Sequence, residues 1–283
     1  MGKVTNFCAI FLCLPLLVSC SNNDVTTLEK IKSTGTIRVG FANDVPYGYM
    51  TEHGELTGEA IEVARRVLSE IGVHKIEGIF VEFGSLIDGL NAGRFDMIAA
   101  GMFVLPSRCK EIAFSEPTYR VGQAFAVKSG NPKKLHSYRD VANNPNAVLC
   151  VMEGAVEGSY AIDSGIPKAR IISVSDTTTG LNAVVSGEAD ALALTSLSIQ
   201  NLIQTSENLG VERASPFMNP VINKKEVLGH GAFGFRKEDN ALLREFNRHL
   251  IPFIGTQEHL ALVAPFGFTE FPKDITTEEL CRH

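Results

Sequence analysis

The segment Leu90-Asn91-Ala92-Gly93-Arg94-Phe95-Asp96, followed by MIAAG, has an echo in Val184-Val185-Ser186-Gly187-Glu188-Ala189-Asp190, followed by ALALT, and Gly93 and Gly187 stand 94 residues apart. Each copy reads as a helix C-terminus, a glycine cap and a strand entered through an aspartate. At that separation the echo fits two similar α/β lobes rather than one solenoid. The chain must then leave the first lobe, build the second and come back.

The rest of the chain supports alternating strands and helices. Thr36 to Phe41 reads as a strand, and Glu59 to Ile71 spaces Ala60, Ile61, Ala64, Val67, Leu68 and Ile71 along one helical face. Ile76 to Val81 is a second strand, Ser85 to Asn91 a short helix, and Phe95 to Ala100 a third strand of nearly continuous apolar residues. Such runs belong to strands covered on both faces, which predicts an α/β fold with mainly parallel sheets. Two glycine-containing apolar segments, Val121 to Val127 and Gly229 to Phe235, are suited to pass between lobes. A final helix starts near Asp239, a candidate N-cap, with Leu242, Leu243, Phe246, Leu250 and Phe253 on adjoining faces. A cleft between lobes is where ligands bind in folds of this kind.

The first residues read as an export signal. Lys3 precedes an apolar run from Phe7 to Val18, shorter than the roughly 20 residues that a membrane span needs. Leu17-Val18-Ser19-Cys20 resembles a lipobox, in which cleavage leaves Cys20 as the lipid-bearing first residue; an ordinary secretory peptide cut nearby is the alternative. Ser21 to Asp24 then forms a polar tether. No later segment is apolar over a membrane's thickness, so contact with a bilayer is expected through the lipid anchor only. Of the cysteines after Cys20, namely Cys109, Cys150 and Cys281, one pair can form in an oxidising compartment and one thiol is left over. None has metal-ligand spacing, so no metal site is expected. The net charge of −6 gives no electrostatic footprint for nucleic acid.

Several candidate site residues fall at strand ends. Arg108 follows Gly101-Met102-Phe103 and sits at the carboxyl edge of the first sheet, where a guanidinium can hold a ligand carboxylate through two parallel hydrogen bonds. Tyr47, Phe83 and Phe103 each stand at a strand-to-loop transition, where rings can wall a pocket and face a cation. Asp44 is three residues before Tyr47 and can balance that cation. In the second lobe Gly154-Ala155-Val156-Glu157 opens a helix whose backbone N–H groups are expected to receive the carboxylate, with Glu157 near the ligand's polar edge.

The runs IRVGFANDVPYGY, EFGSLIDGLNAGRFDMIAAGMFVLPSRCKEIAFSEPTY and GNPKKLHSYRDVA resemble the substrate-binding proteins of ABC importers in the polar amino acid group. FANDVPYGY, GMFVLPSRC, GAVEGSY, GHGAFGFRKED and APFGFTE…ELC bring the chain nearest to the ectoine/hydroxyectoine-binding proteins. The resemblance covers essentially the whole chain after the leader. It implies a type II periplasmic binding protein: two lobes, each a mainly parallel sheet flanked by helices, joined by a two-strand hinge. The implied limits are a leader over 1–19, a lipidated tether and first helix over 20–35, lobe one over 36–124, lobe two over 125–231 and a return to lobe one over 232–283.

In the resembling ectoine receptors the positions of Asp44, Tyr47, Phe83, Phe103, Arg108, Gly154 and Glu157 contact the ligand. Val156 stands where some of them carry a hydroxyl. Amino-acid receptors of the fold place an aspartate after the second-lobe strand to meet the α-ammonium; here that place reads Thr195-Ser196, which disfavours ordinary amino acids. In this topology the C-terminal tail returns to lobe one, so Cys281 is the expected partner of Cys109, and Cys150 a buried thiol. The resemblance thus implies an exported, membrane-anchored receptor, periplasmic or at the cell surface, that acts as a monomer. It would bind a small zwitterion, ectoine or hydroxyectoine, without a cofactor or catalytic residue. It would serve an ABC permease with a separate ATPase. The alternatives are another zwitterionic solute, a polar amino acid among them, or a dehydratase-like enzyme on the same fold.

Overall fold

Two five-stranded sheets with the same strand order form the cores of the two lobes in the computed structural model, which describes residues 1–2, 25–206, 208–222, 225–269, 271–272 and 274–282. The leader beyond residue 2, Cys20 and the tether lie outside the described residues. In lobe one the order is Lys75–Phe80, Thr36–Phe41, Met97–Ile98, Gly234–Phe235, Ala113–Phe114; in lobe two it is Ile171–Val174, Leu149–Met152, Ala191–Thr195, Gln123–Lys128, Val211–Arg213. The first three strands of each sheet are parallel, and the last two pairings are antiparallel. Each sheet is therefore mixed, with four strands running one way and the strand in fourth place running the other. The reason is topological: the fourth place in each sheet is filled by a strand arriving from the other lobe, which enters in the opposite direction.

The echoed segments occupy equivalent places. Gly93 and Gly187 have φ of 70° and 83°, the left-handed region that a Cβ disfavours, and each follows a helix, Leu86–Asn91 and Thr177–Ser186. Asp96 and Asp190 then lead into the third strand. Each carboxylate accepts a backbone N–H at the head of the lobe's first strand, Arg38 N at 3.2 Å and Val148 N at 2.8 Å. Each also holds a cation, Arg38 at 2.8 Å and Lys133 at 2.7 Å. The repeated aspartate is thus a strand-end clasp that satisfies a backbone donor the ladder leaves over.

Helix packing follows the apolar spacing. The helix Glu59–Glu70 buries Ala60, Ile61, Val63, Ala64, Val67 and Leu68, each larger side chain contributing about 1.5–3 kcal/mol relative to exposure. The helix Asn240–Phe253 buries Leu242, Phe246, Leu250 and Phe253 and packs against it. Asp239 precedes that helix, but its carboxylate pairs with Arg236 at 2.7 Å and makes no cap.

Between the lobes Tyr119–Val121 pairs antiparallel with Gly229–Gly231. The glycines here answer to close approach: a Cβ on Gly229 would lie 1.9 Å from the Phe103 ring, and one on Gly231 2.0 Å from the Tyr119 ring. The C-terminal tail lies on lobe one. Its helix Thr277–Arg282 carries Cys281, which forms a disulfide with Cys109 over a Cα separation of 5.8 Å. Closing a loop of 172 residues stabilises by about 2–4 kcal/mol on the chain-entropy account. Cys150 is a buried free thiol, pushed up to about 12 by burial.

Candidate functional site

The carboxyl ends of the parallel strands from both sheets converge on one partly open cavity of about 30 Å³. Asp44 and Tyr47 follow Thr36–Phe41, Phe83 follows Lys75–Phe80, and Gly101 and Phe103 follow Met97–Ile98. Arg108 reaches in from the short helix Pro106–Cys109. Lobe two supplies Met152, Ala155, Val156 and Glu157 after one strand, and Leu194 and Thr195 at the end of another. Of the residues singled out in the sequence, only Gly154 stands back from the lining, and it touches the site through its carbonyl.

Arg108 is 7% exposed. Its Nη1 donates to the Phe103 carbonyl at 2.8 Å and its Nη2 to the Gly154 carbonyl at 2.9 Å, while Cζ lies 5.5 Å from the centre of the Phe83 ring. Two of the five N–H groups of a guanidinium are so committed, and the plane is held against an aromatic face. Burial lowers its pKa to about 10, a drop that the Glu157 charge opposes. Gly154 presents its C=O to the guanidinium. The N–H of Ala155 is occupied by the Met152 carbonyl at 3.2 Å. The turn thus receives the arginine through a carbonyl.

Two acids line the same cavity. Burial raises Asp44 to about 7, partly offset by the Ser198 hydroxyl, which donates to Oδ1 at 3.0 Å. Glu157 is also raised to about 7 by burial, against the pull of Arg108. The Gln123 amide nitrogen, in the orientation its partners select, donates to Glu157 Oε1 at 2.6 Å and to the Leu194 carbonyl at 3.0 Å.

Thr195 plays a different part from the one its position suggests. Its hydroxyl accepts from Tyr47 OH at 2.8 Å and from Ser198 N at 3.2 Å, and donates to Ser198 Oγ at 3.1 Å. One donor and two lone pairs are then all in use in this structure, and the hydroxyl ties the lobes together. Ser198 and Gln123 escaped the sequence reading. A signal for Ser198 existed in Thr195-Ser196-Leu197-Ser198, where a hydroxyl at the N-cap and another three residues on mark a helix start. Nothing local marks Gln123.

Behind the aromatic wall, Tyr47 packs on Tyr119 (centroids 5.4 Å) and on Phe268 of the tail (5.5 Å). Glu59 is buried nearby, with Thr118 Oγ1 donating to its Oε1 at 3.1 Å. Burial raises this carboxyl from 4.5 to about 8. The unfolded chain therefore releases the proton near 4.5 while the folded chain keeps it to about 8, so this group makes stability fall as pH rises across that window. Glu59→Gln should accordingly raise the thermal midpoint by roughly 5 °C more at pH 8 than at pH 5. Equal shifts at both pH values in scanning calorimetry would show that Glu59 does not carry the slope.

Comparison with known proteins adds the following. The family described as bacterial extracellular solute-binding proteins, family 3, matches residues 37–263. A probable amino-acid ABC transporter periplasmic-binding protein of Sinorhizobium fredii is 37% identical over 288 aligned positions, covering 99% of this chain and 93% of that relative. The crystal structure of EhuB in complex with hydroxyectoine superposes with a TM-score of 0.82 at 34% identity, covering 90% of this chain and 97% of that one. Cyclohexadienyl dehydratase of Pseudomonas aeruginosa is 26% identical over 182 positions, 64% of this chain and 67% of its own length.

Proposed function

The chain belongs to family 3 of the bacterial extracellular solute-binding proteins, and from that footing we propose that it is a receptor for ectoine or hydroxyectoine. It takes the ligand in the interlobe cavity and delivers it to the permease of an ABC importer powered by a separate ATPase. The observation that carries this reading is the gathering on one cavity of the buried Arg108 guanidinium, the buried Asp44 and Glu157 carboxyls and the rings of Tyr47, Phe83 and Phe103. Such a site suits a compact zwitterion. A carboxylate meets the free N–H groups of Arg108, and a delocalised amidinium meets aromatic faces and an acid, each desolvated cation–π contact being worth about 2 kcal/mol. A compact α-ammonium finds no carboxylate at Thr195-Ser196. The structural relative that holds hydroxyectoine supports the same reading.

Under this proposal the leader over 1–19 is removed, Cys20 carries the lipid, and the mature protein works as an exported monomer. Lobe one comprises 36–124 and 232–283, and lobe two 125–231. Calorimetry on refolded, ligand-free protein tests the ligand. Ectoine or hydroxyectoine should bind at micromolar affinity or better, roughly −8 kcal/mol, and glutamine, histidine and arginine far more weakly. Tight binding of a standard amino acid with no heat from ectoine would reject the assignment.

One observation favours a second reading, an enzyme of the dehydratase kind. Asp44 and Glu157 both titrate near 7, where a carboxyl can give or take a proton. Ligand recovered unchanged after long incubation distinguishes the receptor from that enzyme.

A further inference from the structure

We infer that Ser198 is a positioning residue for ligand recognition: its hydroxyl, carried by lobe two, sets the orientation of the Asp44 carboxylate in lobe one, so the acid that meets the cation is in place only when the lobes are closed. The inference rests on the reading of the cavity as a zwitterion site, and it concerns a residue that does not line that cavity.

The geometry is a ring of hydrogen bonds across the cleft. Tyr47 OH donates to Thr195 Oγ1, Thr195 Oγ1 to Ser198 Oγ, and Ser198 Oγ to Asp44 Oδ1, at 2.8, 3.1 and 3.0 Å. The ring closes in lobe one, where Tyr47 N donates to the Asp44 carbonyl at 2.8 Å. Each hydroxyl donates in the same sense, and the series ends on a carboxylate, the strongest acceptor in it. Ser198 is 1% exposed and is held in turn by its own N–H on Thr195 at 3.2 Å. Its proton therefore has one destination, Asp44 Oδ1, which leaves Oδ2 for the ligand.

Opening the cleft separates Ser198 from Asp44, because Asp44 follows a strand of one sheet and Ser198 lies on the helix after a strand of the other. Closure and recognition become one event. The groups around Asp44 set the pH behaviour. Its charge is felt by Tyr47, Tyr119 and Glu157, with Arg108 the cation on the far wall and Glu59 behind the rings. A donated hydrogen bond favours the ionised form, so loss of Ser198 moves the Asp44 titration to higher pH.

The test compares wild type with Ser198→Ala and Ser198→Thr by calorimetry from pH 5.5 to 8.5. The ligand is whichever of ectoine, hydroxyectoine, glutamine, histidine or arginine binds wild type most tightly. Ser198→Ala is expected to weaken binding roughly tenfold at pH 7 and to shift the acid limb of the affinity profile upward. Ser198→Thr, which keeps the hydroxyl, should restore both. An alanine variant with the wild-type profile overturns the inference, as does a uniform loss at every pH that threonine shares. If a standard amino acid proves the tightest ligand, the ectoine reading fails while the Ser198 result still decides this one. No heat from any of the five overturns both.

Discussion

Arg108→Lys is expected, on the proposed function, to weaken ectoine binding by two orders of magnitude or more while leaving the fold intact. The guanidinium donates to the Phe103 and Gly154 carbonyls, lies over the Phe83 ring and still presents further N–H groups to the cavity. A lysine ammonium has three donors on one point and no planar fork, so it cannot hold both carbonyls and grip a carboxylate bidentately. Hydrogen bonds to charged groups are worth about 1.5–3 kcal/mol each, and about 2.8 kcal/mol corresponds to a hundredfold in affinity. Calorimetric titration beside a thermal scan reads the two effects separately. Affinity within threefold of wild type would remove Arg108 from the carboxylate role.

Gly154→Ala should hold the receptor open. At Gly154, φ is +73°, and a Cβ there would lie 2.5 Å from the Gly84 Cα of the opposite lobe. Backbone against backbone has no side chain to swing aside, and the left-handed conformation adds about 1–2 kcal/mol of strain. The closed state is thereby disfavoured, and apparent affinity falls with its population, by tenfold or more. The same change displaces the carbonyl that accepts from Arg108. Small-angle scattering at ligand saturation should show compaction for wild type and none for the variant. Gly84→Ala is a graded control, since its Cβ would stand 3.3 Å from the Glu153 carbonyl oxygen, tight but within reach of a small shift. A Gly154→Ala protein that compacts and binds like wild type would show that this contact does not govern closure.

Much of the fold was legible in local pattern. Gly93 and Gly187 read as caps because a left-handed residue after a helix selects glycine whatever lies far away. Asp96 and Asp190 repeat because each sheet needs the same clasp at the same strand end. The apolar stripe of Glu59–Glu70 marked its buried face before any partner was known, since helical period alone decides which side chains share a face. For the same reason Tyr47, Phe83, Phe103 and Arg108 could be placed at strand ends, where a parallel sheet presents loops to one edge.

What each of those groups touches could not be read that way. Thr195 was singled out as a ligand residue, yet its hydroxyl is fully engaged by Tyr47 and Ser198, partners set by the docking of one lobe on the other. Gly154 presents its carbonyl to the guanidinium, a contact fixed by Arg108 arriving from 46 residues away. Gly229 and Gly231 stand in a strand that passes between the lobes, and only the packing reveals that their missing side chains make room for the Phe103 and Tyr119 rings. Sequence by itself determined the elements, the repeat and the strand ends, because propensity, periodicity and capping act within a few residues. Tertiary structure alone decided the mixed direction of the sheets and the hydrogen bonds across the cleft. A strand's direction depends on which lobe it comes from, and a hydrogen bond holds only over a few tenths of an ångström between groups that the chain places more than a hundred residues apart.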